Sequence, residues 1–161
     1  MNVKKLCLLA LLCGLSALGA QFHIYGSIAL DTLPAFLAAF LLGGLPGAVA
    51  GAAGHLLSAL LAGFPLTLPL HFVVAAEMGV LCYFAGRIAL RHPLWLASML
   101  AFSLNAFISP LILLIWPGMG VPVFIVLLPG LVLGSAINAF GAASVAGALL
   151  KYGKVLRGWH L

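Results

Sequence analysis

The sequence predicts an all-α integral membrane protein, a compact bundle of six transmembrane helices with both termini on the cytoplasmic side. Three observations carry this expectation. The chain of 161 residues is 65% hydrophobic and 6% charged, with a mean hydropathy of +1.31, which is too little polar surface to cover a soluble globule. Its apolar runs approach the roughly 17–25 residues needed to cross a hydrocarbon core of about 30 Å. Finally, all seven Lys and Arg residues fall in gaps between those runs.

The elements follow in order, within a single domain over residues 1–161. The first span covers residues 5–21 and starts at Lys4 and Lys5. The second, residues 28–45, carries Asp31 and Pro34 near its start. The third, residues 46–62, follows the turn Gly43-Gly44-Leu45-Pro46. The fourth, residues 69–86, is closed by Arg87, Arg91 and the His92-Pro93 break. The fifth, residues 93–116, is bent or ended near Pro110. The sixth, residues 121–150, is too long for one straight span, and Pro129 is expected to split it into a lead-in and a helix from Gly130 onward.

The charges test that count. With the N-terminus inside, Lys4, Lys5, Arg87, Arg91, Lys151, Lys154 and Arg157 all fall on the cytoplasmic side. The outer connections 21–27, 63–69 and 117–120 hold no Lys or Arg. That bias is the positive-inside signature. A rival reading gives the same charge pattern: Lys4-Lys5, a short apolar stretch and Ala17-Leu18-Gly19-Ala20 also resemble a cleaved signal peptide. The small-residue stripe Ala10, Gly14 and Ala17 favours a retained helix suited to packing.

Several functions are excluded by composition. The net charge of +5 is dispersed, with no stacking platform beside it, so nucleic-acid binding is not expected. Cys7, Cys13 and Cys82 lie in apolar runs without metal-ligand spacing and read as small core residues, and no metal or other cofactor is expected. The chain has no G-x-x-x-x-G-K-[ST] loop, so any ATP must be handled by partners.

The candidate functional residues are the polar ones placed among the apolar runs. The two acids, Asp31 and Glu77, are costly at membrane depth. Glu77 either reaches Arg87, ten residues on, or faces a cavity, and the long reach favours the cavity. Gly43, Gly47 and Gly51 read as helix packing. His55, on the same face, contacts either a ligand or an internal partner. His71 lies near the outer boundary, on a different side of its helix from Glu77. Ser98, Asn105 and Ser109 form one polar stripe, and Gly134, Ser135, Asn138 and Gly141 another. These stripes serve either to join helices or to line a polar chamber. The connection 21–27, which includes Tyr25, suits a cap over a pocket or an aromatic belt.

Leu30-Asp31-Thr32-Leu33-Pro34-Ala35-Phe36, Leu42-Gly43-Gly44-Leu45-Pro46-Gly47-Ala48 and Gly51-Ala52-Ala53-Gly54-His55 together resemble substrate-binding S components of energy-coupling-factor vitamin transporters. The resemblance covers nearly the whole chain. It implies six helices in a bacterial plasma membrane, a pocket near the outer leaflet capped by the first connection, and no enzymatic activity. It also implies a partner T subunit with a pair of ATPases, which drive the S component to topple in the membrane lipid. Ala10 and Gly14, with Ala17, resemble the family's Ala-x-x-x-Ala docking surface, with Gly at the second position. Gly54 to Ala59, Gly63-Phe64-Pro65-Leu66, Leu68-Pro69-Leu70-His71 and Glu77-Met78 look similar to S components for α-ribazole, a precursor in cobalamin salvage. On that likeness Asp31, His55, His71, Glu77, Asn138, Tyr25 and Phe64 are the candidate substrate-binding residues. Metal uptake is disfavoured, because the chain begins Met1-Asn2-Val3 with no His beside the amine.

Other readings remain: an S component for a thiamine, pyrimidine or riboflavin-class vitamin, an intramembrane enzyme, or a stand-alone carrier. The enzyme lacks an H-E-x-x-H or paired-acid motif, and the carrier lacks an internal repeat.

Overall fold

The computed structural model describes residues 3–21, 23–25 and 28–152, with side chains for all of these except 23–25 and 28–29. Helix α1 spans Val3–Gly19 and leads into a small antiparallel hairpin, β1 His23–Tyr25 and β2 Ile28–Ala29. Then come α2 Thr32–Leu42, α3 Gly44–Leu61 and α4 Leu68–Ala89. The apolar rod α5 runs Leu94–Ile115, and α6 is Gly120–Tyr152. Six helical rods are thus present among the described residues, and the hairpin is the one departure from an all-α fold.

The second expected span, residues 28–45, proves to be an 11-residue helix. At about 1.5 Å per residue it is too short to cross a membrane core. Every residue from Pro34 to Leu42 is buried, and Phe36 and Phe40 stack with ring centroids 6.3 Å apart. A helix apolar on all sides is at rest only when other helices surround it, and α2 is the core around which they pack. Four rods are long and apolar enough to cross a membrane: α3, α4, α5 and α6. Helix α1, with 17 residues, lies at the lower limit of spanning length.

Glycines let α3 sit against its neighbours. A Cβ at Gly47 would lie 2.7 Å from Ala39 of α2, and one at Gly51 would lie 2.6 Å from the Met78 carbonyl of α4. Gly54 meets Ser16 of α1, whose carbonyl also accepts a 3.1 Å hydrogen bond from Ser58. Gly43, with φ 92° at the α2–α3 corner, adopts a backbone conformation open mainly to glycine. Gly86 of α4 approaches this corner so closely that a Cβ would lie 2.6 Å from the Gly43 backbone.

Three expectations need correction or refinement. Pro129 does not split the last span, since α6 is one 33-residue helix with Pro129 inside it. The proline removes a single bond, to the Ile125 carbonyl, while the turns on either side continue the rod. Pro110 does disturb α5. The Ser109 N–H bonds the Leu104 carbonyl across a turn wider than α spacing, and a tight three-residue turn, Ser109–Leu111, follows. Of the cysteines, only Cys82 is a core residue. Cys13 is half-buried, and Cys7 is exposed because α1 packs through Leu9, Leu12 and Ser16 on its other face.

The polar and basic groups separate along the bundle. The starts of α2, α4 and α6 share one end with the late portions of α3 and α5. At the other end, Arg87 of α4 packs beside Gly44 at the start of α3. The basic residues Lys4, Lys5, Arg87, Arg91 and Lys151 belong to that second end, while Lys154 and Arg157 lie outside the described residues.

Candidate functional site: a polar chamber inside the bundle

The Phe64 end of the site is built by a helix stop. Gly63 (φ 74°) and Phe64 (φ 52°) turn left-handed after α3. The Phe64 N–H bonds the Ala59 carbonyl at 2.8 Å and the Gly63 N–H bonds Leu60 at 3.1 Å, the paired bonds of a Schellman motif. The turn sets the Phe64 ring 5.7 Å from the His71 ring. Helix α4 then begins with Thr67 accepting from the Leu70 N–H at 3.3 Å and with Pro69 in its first turn, where the missing donor does no harm.

These elements enclose a chamber of about 210 Å³. Asp31 and Thr32 enter it from the start of α2, His55 from α3, and His71, Val74 and Met78 from α4. Asn105, Ser109 and Leu113 line it from α5, and Leu127 and Leu131 from α6. A recess of about 50 Å³ shares Asp31, Thr32, Asn105 and Leu131 with it and adds Ser135 and Asn138. Strand β2 runs beside α6 and Asp31 follows it closely in sequence, so the hairpin lies at the chamber's end of the molecule.

The polar groups form defined pairs. His55 Nε2 and His71 Nδ1 are 3.2 Å apart, with ring centroids 5.3 Å apart. His71 is only 7% exposed, and its Nε2 has no protein partner among the described residues. Thr32 donates to Asp31 Oδ1 at 3.1 Å. Asn105 donates to Ser135 Oγ at 2.8 Å, joining α5 to α6. The wide turn in α5 starts beside Asn105 and ends at Ser109, the two polar side chains that this helix contributes. Such turns recur at functional sites.

Glu77 stands elsewhere. It lines a groove of about 370 Å³ between α4 and α5 with Val73, Ala76, Val80, Leu81, Leu104 and Ile108. Its carboxylate accepts a 2.7 Å hydrogen bond from Ser109, so the hydroxyl of α5 takes the place that the Arg87 alternative would have filled. This groove is larger than the chamber, but Glu77 and Ser109 are its only polar lining residues. The chamber, where six polar side chains converge, is the better candidate for recognising a small molecule.

Of the sequence-derived candidates, Asp31, His55 and His71 meet in the chamber, Asn138 in the recess, and Phe64 stands against His71. Glu77 lies across the Ser109 wall, and the Tyr25 side chain is outside the described residues. Thr32, Asn105 and Ser109 join the site: Thr32 is not singled out by the sequence, whereas Asn105 and Ser109 belong to the polar stripe of the fifth span and take its chamber-lining alternative. The spacing of Asn105 and Ser109, one helical turn apart, was the available signal. The stripe on α1 is outside the bundle: Ala10 and Gly14 are exposed, Ala17 is half-buried, and no atom lies within 4 Å of a Cβ built at Gly14.

A few polar groups set among apolar walls equip the chamber to recognise a small molecule. No group of three or more His, Cys, Asp or Glu able to hold a metal occurs among the described residues, and the facing histidine nitrogens already engage each other. The Ser135 hydroxyl accepts from Asn105, and the Ser109 hydroxyl donates to the Glu77 carboxylate outside the chamber.

A family model described as the substrate-specific component of ECF transporters, where ECF denotes energy-coupling factor, matches residues 4–153. No curated protein and no solved structure matches the chain.

Proposed function

The chain belongs to the substrate-specific components of ECF transporters, and from that premise we propose that it captures α-ribazole in the polar chamber for import. Members of this family are multi-pass membrane proteins that bind vitamin-type small molecules and work with a T subunit and ATPase subunits; they are not enzymes. The observation that carries the reading is the convergence of Asp31, His55, His71 and Asn105 on one chamber in an otherwise apolar bundle. Ligand sites combine apolar walls with a few placed polar groups. Leu113, Leu127 and Leu131 suit the faces of a benzimidazole base, while the polar groups suit ribose hydroxyls. At about 210 Å³ the chamber falls below the roughly 300–1,000 Å³ of drug-sized pockets, so a riboside needs the adjoining recess of about 50 Å³ and some opening of the chamber as well.

In this reading the chain sits in a bacterial plasma membrane with both termini cytoplasmic, and the chamber opens towards the outer leaflet under the hairpin. The stripe of exposed Ala10 and Gly14 with half-buried Ala17 docks the T subunit, since small residues let helix backbones approach closely. Mass spectrometry of the molecule released from purified protein tests the substrate. Recovery of α-ribazole, or its saturable binding in titration calorimetry, is expected. Recovery of a thiamine- or riboflavin-class vitamin would replace α-ribazole while keeping the transport role. Gly14→Leu should abolish co-purification with the T subunit and leave ligand affinity within about twofold, because a side chain there meets nothing in the bundle.

A further inference from the structure

We propose that the chamber admits neutral or cationic ligands and rejects anions, with Asp31 as the residue that sets this selectivity. The inference rests on the chamber being the ligand site, and it does not depend on the ligand being α-ribazole.

The charge count of the whole chain supplies the first part. There are seven Lys and Arg residues, and the five among the described residues, Lys4, Lys5, Arg87, Arg91 and Lys151, all stand outside the lining of the chamber and its recess. Residues 22–29, which join α1 to α2 in the sequence, contain no Lys or Arg. Along α4, Arg87 lies nine residues beyond the chamber residue Met78, roughly 14 Å at helical rise. A phosphate or carboxylate in the chamber would therefore lose its hydration without gaining the Arg or Lys partner that buried anions need.

The second part is the charge the chamber does contain. Asp31 lines both the chamber and the recess and is the only carboxylate among their lining residues. Two like charges at contact distance in a partly desolvated site repel strongly enough to weaken binding by about 100-fold or more. A cation, or a neutral ligand rich in hydroxyl and N–H groups, gains a charge-assisted bond at the same atoms.

The third part is the histidine pair. The 3.2 Å contact between His55 Nε2 and His71 Nδ1 needs a lone pair on one of the two nitrogens. His71 Nε2 is buried and without a protein partner among the described residues, and its role as donor or acceptor follows the tautomer of that bond. A neutral ligand bearing hydroxyls, which both donate and accept, satisfies either tautomer.

The test compares matched pairs at pH 7.5 on the full chain in nanodiscs: α-ribazole, riboflavin and thiamine, each against its own 5′-phosphate or monophosphate, with biotin and nicotinate as carboxylates. Whichever parent compound binds, its phosphate should bind at least about 100-fold more weakly, and neither carboxylate should compete. In Asp31→Asn the penalty on the phosphate should shrink by about tenfold or more. Should that variant fail to fold, the charge of the molecule co-purifying with the unaltered chain decides. A phosphorylated or carboxylate ligand bound within tenfold of its neutral parent, or recovered from the purified protein, overturns the proposal. Thiamine or riboflavin binding in place of α-ribazole would overturn the substrate assignment and leave the charge rule standing. Binding of no compound, with no small molecule released on denaturation, would contradict both.

Discussion

The chamber around Asp31 and the groove around Glu77 share one residue, Ser109, and little else. Both acids belong to apolar runs, and by residue type alone they are equally expensive to place in a membrane. The fold treats them differently. Asp31 stands among Thr32, His55, His71 and Asn105, where several polar groups line one cavity. Glu77 stands in an apolar groove with one hydroxyl as its hydrogen-bond partner, and that bond ties α4 to α5. A carboxylate among convergent polar groups is equipped to recognise a ligand, whereas one satisfied by a single cross-helix bond is equipped to hold two helices together.

This contrast can be broken or sharpened by substitutions taken in order of expected effect. Asp31→Ala should raise the dissociation constant of the captured ligand by about 10- to 100-fold in titration calorimetry, the range of a lost charge-assisted bond. The melting temperature should stay close to that of the unaltered protein. His71→Ala comes next, with about a tenfold loss. It removes the buried Nε2 and leaves His55 without its partner, so a His55→Ala/His71→Ala cycle should be non-additive. Ser109→Ala strikes the shared wall and should act mainly on stability, lowering it by about 1–2 kcal/mol in thermal unfolding as Glu77 loses its donor. Glu77→Gln keeps an acceptor for Ser109 and should change affinity by less than about twofold and stability by less than about 0.5 kcal/mol. Loss of ligand binding in Glu77→Gln with retention in Asp31→Ala would invert the comparison.

Much of the architecture was legible because membranes impose few solutions. Apolar run lengths located six helices, and the glycine spacing of α3 announced close packing, which Gly47 and Gly51 realise against Ala39 and Met78. The second helix was misjudged in length. Its hydrophobicity is that of a span, but nothing in a single run distinguishes a helix buried in protein from one buried in lipid. Pro129 misled for a related reason, since a proline's effect on a long helix depends on the surrounding packing.

The site was half legible. Asp31, His55 and His71 stood out because polar side chains are costly in an apolar run. Thr32, Leu113 and Leu127 carry no such signal, and their place in the chamber follows from how five helices meet. Glu77 shows the limit most clearly: its cost was readable, but which wall it faces was not.

The sequence by itself determined the class, the helix count and the separation of the basic residues from the polar ones, because these follow from the local balance of apolar and charged side chains. Only the tertiary structure decided that α2 is the core, that His55 and His71 bond each other, and that Asp31 and Glu77 lie on opposite sides of Ser109. Those are distances between residues far apart in the chain, and they are set by which helix faces come together in the packed bundle.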